Sequence, residues 1–255
     1  MPDPRLYVED DLSAGAIVAL NEDQARYLGQ VLRLGEHGKV RVFNGREGEW
    51  TAEIARAGKR GLALSVGAQT REQAGASALH LLFSPLKRHA TDWLIEKATE
   101  LGAGALLPVI AKRTVAETVR VDRLTAIARE AAEQTERLDV PEVRASVSLA
   151  KALDRWPAER LLIYADEAGD DAAKPWGGSA GRGGPLLDAI AALPRGGALS
   201  LLIGPEGGFD PEERRMLRTL PFVIPVSLGP RILRAETAAV AALAVIQAAK
   251  GDWGG

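Results

Sequence analysis

A chain of 255 residues can bury either one large core or a small domain followed by a larger one. Its formal net charge of -2 gives no global signature of a nucleic-acid coat, although one local basic patch on an enzyme stays compatible with it. Cysteine is absent, which excludes disulfides, thiolate nucleophiles and cysteine zinc sites, and His37, His80 and His89 lack ligand spacing, so no metal is expected.

The opening residues, Met1 to Ala16, lack the basic region and apolar run of a secretory signal, and no segment reaches the roughly 20 apolar residues that cross a bilayer. A cytoplasmic protein with no membrane partner is the expectation. From Arg5 to about Val66 the pattern predicts short strands at Arg5 to Val8, Ala16 to Leu20, Lys39 to Phe43, Glu49 to Ala55 and Leu62 to Val66. Asn44-Gly45 suits a tight hairpin turn because both residues tolerate positive φ. One helix interrupts the series: Asn21 caps it, Gln24 closes a capping box, and Ala25, Leu28, Val31 and Leu32 recur at helical spacing. A compact β-barrel with one helix would bury these pieces.

After the polar stretch Gln69 to Ser77 the rhythm changes to strand then helix. Strands are predicted at Leu79 to Phe83, Leu106 to Ile110, Leu161 to Tyr164, Leu199 to Ile203 and Val223 to Val226. Helices are predicted at Ala90 to Leu101, Val121 to Arg137, Leu186 to Leu193, Asp210 to Leu220 and Leu233 to Ala249. Such alternation indicates α/β layers on a mostly parallel sheet. The stretch Asp166 to Gly184, rich in Gly, Ala and Asp, reads as a surface connection without a functional motif.

Two strand-to-helix junctions carry the functional signal. Leu199 to Ile203 runs into Gly204-Pro205-Glu206-Gly207-Gly208-Phe209, after which Asp210 is a good N-cap, Pro211 fits the first helical position and Glu213 completes a capping box. Three glycines permit sharp turns and close approach of a ligand at a strand's carboxyl end, where open α/β sheets bind small molecules. The loop lacks the lysine and the spacing of phosphate-binding motifs, and Glu206 would repel a phosphate. A structural turn before a capped helix explains the loop equally well. The second junction, Ser227-Leu228-Gly229-Pro230-Arg231-Ile232-Leu233-Arg234, leads into a long alanine-rich helix. Together the two loops could enclose one organic ligand with backbone donors and acceptors. Arg231 and Arg234 would hold phosphate or carboxylate, or Arg234 would pair with Glu236 or Glu206.

In order, Leu202 to Gly208 and Leu228 to Ala238 closely resemble the C-terminal signature of the SPOUT methyltransferase superfamily. The likeness is specifically to the ribosomal RNA small subunit methyltransferase E family, which methylates N3 of one uridine in 16S ribosomal RNA. Arg5-Leu6-Tyr7 and Tyr27 to Leu34 look like that family's N-terminal RNA-binding barrel. Lys87, Glu96 to Gly102 and Glu133 to Arg137 look like its middle motifs. Two departures stand out: Thr114 replaces a serine, and Glu136 replaces a glycine that often precedes the arginine.

The resemblance implies a small PUA-like β-barrel over 1–71 and a SPOUT domain over 76–255 whose C-terminal chain forms a deep trefoil knot. It implies S-adenosylmethionine as cofactor, a homodimer, and 16S ribosomal RNA within the small subunit as substrate. The cofactor would lie against Leu202, Ile203, Gly204, Glu206, Gly207, Gly208, Leu228, Gly229, Ile232, Leu233, Glu236 and Thr237. Arg231, Arg234 and Arg113 are the catalytic candidates, able to stabilise charge on uracil oxygens. Arg5, Arg26, Arg33, Lys87, Arg88, Lys112 and Arg137 are the RNA-binding candidates. A ribose 2'-O methyltransferase of the same superfamily and a noncatalytic RNA-binding assembly protein are the alternatives.

Overall fold

The computed structural model describes residues 3–57, 61–116 and 118–254, and the chain divides into two compact units, Met1–Ala76 with Ala132–Val140 and Ser77–Ala131 with Pro141–Gly255. The first unit contains β1 (Arg5–Tyr7), β2 (Ile17–Ala19), α1 (Glu22–Arg26), β3 (Lys39–Phe43), β4 (Glu49–Ala57) and β5 (Gly61–Arg71). These strands form one sheet in the order β1-β3-β4-β5-β2, with β1 parallel to β3 and the other pairs antiparallel. Leu6 from one edge and Val18 from the other meet Val40, Val42, Ile54 and Leu64 in a single cluster, so the sheet is strongly curled around its core.

Three local expectations change here. The Asn44-Gly45 turn is not a two-residue hairpin: Phe43 pairs with Glu49, and Gly45 (φ 81) and Gly48 (φ 78) both lie in a five-residue loop. The Asn21 capping box forms as expected, but the helix widens to a π turn over Tyr27–Val31, with the Leu32 amide bonding to the Tyr27 carbonyl at 3.0 Å. That wider turn keeps Leu28 buried but leaves Val31 and Leu32 exposed. β5 also extends to Arg71, into the stretch expected to be a polar connection.

Arg5 is buried in this unit. Its Nε bonds Glu49 at 2.7 Å, and its other nitrogens bond the carbonyls of Ala132, Glu133 and Arg137. Its guanidinium also stacks 4.4 Å over the Phe43 ring. Those carbonyls belong to a helix end and its exit, where unpaired acceptors favour a cation. Glu136 adopts φ 61, a left-handed conformation natural for the glycine it replaces, and its carboxylate bonds Arg41 at 2.9 Å.

The second unit contains β6 (Leu79–Phe83), α2 (Arg88–Glu100), β7 (Ala105–Ile110), α3 (Val121–Gln134), β8 (Glu142–Val143), β9 (Val147–Ser148) and α4 (Leu149–Leu153). It continues with β10 (Leu161–Ala165), β11 (Gly184–Pro185), α5 (Leu186–Ala191), β12 (Leu199–Ile203), α6 (Pro211–Thr219), β13 (Val223–Ser227) and α7 (Ala235–Lys250). The last residues of α3 cluster with the first unit. Every strand pair here is parallel, in the order β11-β13-β10-β12-β6-β7-β8, with β9 paired to β7.

All five residues of β12 are buried, as a strand covered on both faces requires, which is why its sequence reads as a continuous apolar run. α7 leaves the end of β13 and returns to lie against α2, α5 and β12. Its alanines permit that close approach; Ala239 and Ala242 are fully buried. No described helix is long and apolar enough to cross a membrane.

Candidate cofactor-binding site

The carboxyl ends of β13, β10 and β12 lie side by side, and the three connections that leave them surround a cavity of about 430 Å³. After β12 the wall is Ile203 to Glu206. After β13 it is Val226 to Gly229 and then Arg231 to Arg234, with Ala235 and Ala238 of α7 behind. Ala165, Asp166, Glu167, Trp176 and Arg182 close the β10 side, and Lys87 also faces in.

The glycines have specific reasons to be there. A Cβ on Gly204 would lie 2.5 Å from the Phe209 ring, which itself packs edge-on against Tyr164. Gly208 has φ 67, and a Cβ there would sit 2.8 Å from the Glu167 carboxylate and 3.1 Å from Trp176. Its amide bonds the Pro205 carbonyl at 2.8 Å, tightening the turn. Asp210 and Glu213 then form the expected capping box, with Pro211 at the first helical position.

α6 also anchors the β10 side. Asp166 is buried, and its carboxylate accepts bonds from Arg214 Nε and Arg218 Nε at 2.8 Å each and from the Tyr164 hydroxyl at 3.3 Å. The same two arginines, one turn apart, hold Asp170 and the Ala168 and Gly181 carbonyls. The expectation that Asp166 to Gly184 is a surface connection without functional content is therefore corrected. The connection is fastened to α6 and supplies four cavity-lining residues.

Glu167, next in sequence, forms no ion pair among the described residues. Burial pushes its carboxyl above the usual carboxylate range, and the Asp166 charge adds to that. Arg182 Nε is buried without a hydrogen-bond partner. Neither Arg231 nor Arg234 forms an ion pair among the described residues, so the suggested pairing of Arg234 with Glu236 or Glu206 is absent from them.

Of the twelve residues expected to hold the cofactor, Ile203, Gly204, Glu206, Leu228, Gly229, Ile232 and Leu233 line the cavity. Leu202 points into the core cluster with Leu162 and Leu217, and Gly207, Gly208, Glu236 and Thr237 lie outside the lining. Arg231 and Arg234 line it, whereas Arg113 instead donates to the Gly207 carbonyl at 3.0 Å.

The expected RNA-binding cations separate into two groups. Arg26, Arg33, Lys87, Arg88 and Lys112 are exposed, Arg26 beside Asp23 and Lys112 beside Asp210 and Glu212. Arg5 and Arg137 are not available in the same way. Arg5 is consumed by Glu49 and three carbonyls, and Arg137, mostly covered, bonds Asp139 at 3.0 Å. Glu167, Trp176 and Arg182 escaped the sequence reading. The one available hint was an acidic pair directly after a buried strand.

The RNA methyltransferase domain model matches residues 73–247, and the RNA methyltransferase PUA domain model matches 20–66. A Rickettsia conorii protein named ribosomal RNA small subunit methyltransferase E is 30% identical over 244 residues, 95% of this chain and 94% of that one. This chain belongs to the ribosomal RNA small subunit methyltransferase E family. A crystal structure of a Neisseria gonorrhoeae methyltransferase E bound to S-adenosyl methionine matches with a TM-score of 0.77 and 28% identity, covering 96% of this chain and 97% of that one. A Legionella pneumophila methyltransferase structure in complex with SAM matches with a TM-score of 0.79 and 28% identity over 99% of this chain and all of that one. The PUA match falls on the curled first sheet and the methyltransferase match on the parallel one.

Proposed function

We propose that this enzyme transfers the methyl group of S-adenosylmethionine to N3 of one uridine in 16S ribosomal RNA, with the cavity at the ends of β10, β12 and β13 as the donor site. The observation that carries the reading is that cavity. Its volume of about 430 Å³ suits a nucleoside-sized ligand, and its walls join apolar side chains at Ile203, Leu228, Ile232 and Leu233 to charged ones such as Glu167 and Arg182. A buried, partnerless Arg182 Nε inside it fits a site built for a polar ligand. The other predicted cofactor residues that line it, Ile203, Gly204, Glu206, Leu228, Gly229, Ile232 and Leu233, would hold the donor, and the return of α7 past this region supports a knotted path.

When bound, the donor supplies an electrophilic sulfonium methyl. The chain's task is to align uracil N3 with it and to favour loss of the N3 proton. Arg231 and Arg234, which keep their guanidiniums uncommitted at the cavity, would stabilise negative charge on the uracil oxygens, with Arg113 at the neighbouring Gly207 carbonyl. Lys87, Arg88 and Lys112 would meet phosphates near the site, and Arg26 and Arg33 would do so on the barrel. In this reading residues 1–71 bind RNA, residues 76–255 bind the donor, and the enzyme works as a cytoplasmic homodimer.

The deciding experiment supplies wild type with radiolabelled S-adenosylmethionine and undermethylated small subunits, then maps the modified nucleotide. Label on uridine N3 is expected, and label on a ribose oxygen would overturn the assignment. Ala238→Phe, which fills the cavity without straining a helix, should abolish labelling and donor binding in calorimetry while leaving the Tm within a few degrees.

A further inference from the structure

We infer that Glu167 and Arg182 form a subsite for an α-amino-acid zwitterion, Glu167 receiving the ammonium and Arg182 the carboxylate of the donor's methionine end. The inference rests on the donor-site reading above and adds to it the direction in which the ligand lies.

Both residues line the cavity, and both come from the connection between β10 and α5. They carry opposite charges yet form no ion pair among the described residues, and the Arg182 Nε is buried without any hydrogen-bond partner. Leaving a buried polar atom unpaired is costly, so an orphaned Arg182 Nε beside a half-buried, unpaired Glu167 calls for a third party that satisfies both. Burial raises the Glu167 pKa, which points the same way, because an incoming cation would relieve it.

The other charges at the cavity do not offer this arrangement. Asp166 is already saturated by Arg214, Arg218 and Tyr164. Glu206, Lys87, Arg231 and Arg234 are exposed and have no buried orphan atom. A phosphate would satisfy Arg182 but be repelled by Glu167, and an amine alone would do the reverse. A group carrying ammonium and carboxylate on one carbon satisfies both through charge-assisted hydrogen bonds.

Two ligands separate this subsite from the rest of the cavity. S-adenosylhomocysteine carries the amino-acid end, whereas 5'-methylthioadenosine keeps the nucleoside and thioether and lacks it. Calorimetric titration of wild type, Glu167→Gln and Arg182→Met with each ligand reads the difference. Each variant should bind S-adenosylhomocysteine at least tenfold more weakly and 5'-methylthioadenosine within twofold of wild type. Unchanged affinity for S-adenosylhomocysteine, or an equal loss for both ligands, would overturn the subsite. Wild type binding neither ligand would overturn the donor site itself and this inference with it. Retained binding of 5'-methylthioadenosine also certifies that each variant is folded.

Discussion

Two arginines with buried nitrogens are treated in opposite ways in this enzyme. In the curled first sheet Arg5 has a carboxylate, three carbonyls and an aromatic face. At the cavity Arg182 has a buried nitrogen with no partner. The acids repeat the contrast: Glu49 and Asp166 are bonded on both oxygens, while Glu167 has no cation of its own. A buried charge whose bonding is complete holds the fold together, and one left incomplete marks a place where something else binds.

The largest effect that would break this comparison is at Arg5. Arg5→Met leaves Glu49 buried without its main partner and should cost about 3–5 kcal/mol in urea unfolding, with Arg5→Met/Glu49→Met recovering part of the loss. The same cluster sets a pH dependence. Burial alone would raise the Glu49 pKa, but hydrogen bonds from Arg5 and Thr70 outweigh it and hold the carboxyl below its usual range. Its contribution is therefore present above the unfolded-state value and lost as pH falls through the folded one. Urea midpoints from pH 7 to pH 3 should fall less steeply in Glu49→Gln than in wild type.

A middle-sized effect belongs to Asp166. Asp166→Asn removes the charge that Arg214 and Arg218 share and should cost about 1–3 kcal/mol. Faster hydrogen exchange at Gly169 and Gly177, whose amides are bonded within the fastened connection, should accompany it. The smallest effect, and the sharpest in sign, is at Glu167. Its raised pKa gives a contribution that is complete below the unfolded carboxylate value and lost as pH rises through the folded one. Glu167→Gln should therefore leave the Tm at pH 8 equal to or above wild type, and a clear fall would place Glu167 among the structural charges.

Much of the parallel sheet was legible in the sequence because its strands are short apolar runs bounded by turn residues. β12 has the predicted bounds, and α6 was marked by its own capping box. β8 and β9, two residues each, carry no periodicity and exist because β7 offers them an edge. The two glycine loops declared themselves through local chemistry. The third wall did not, since Gly, Ala and Asp compose loose loops and fastened ones alike, and the fastening arginines lie 44 to 52 residues away. Arg5 misled for the same reason: its acid is 44 residues distant and its last carbonyl 132. A sequence window sees the charge but not the partner that neutralises it.

Asp166 and Glu167 are neighbours just beyond the end of β10 and both line the cavity, but Asp166 is spent on α6 while Glu167 forms no ion pair among the described residues. The two acids are distinguished by their place in the chain rather than by their chemistry. One residue inserted between Ala165 and Asp166 would carry Asp166 into the place of Glu167 and push Glu167 one position further on. The later part of the same connection brings Trp176 and Arg182 to the cavity and pairs Gly184 with Val226, which fixes the chain at those points. Length changes in this enzyme should be tolerated between those fixed points and not at the strand end, where one inserted alanine would convert an anchor into a reader without altering either acid.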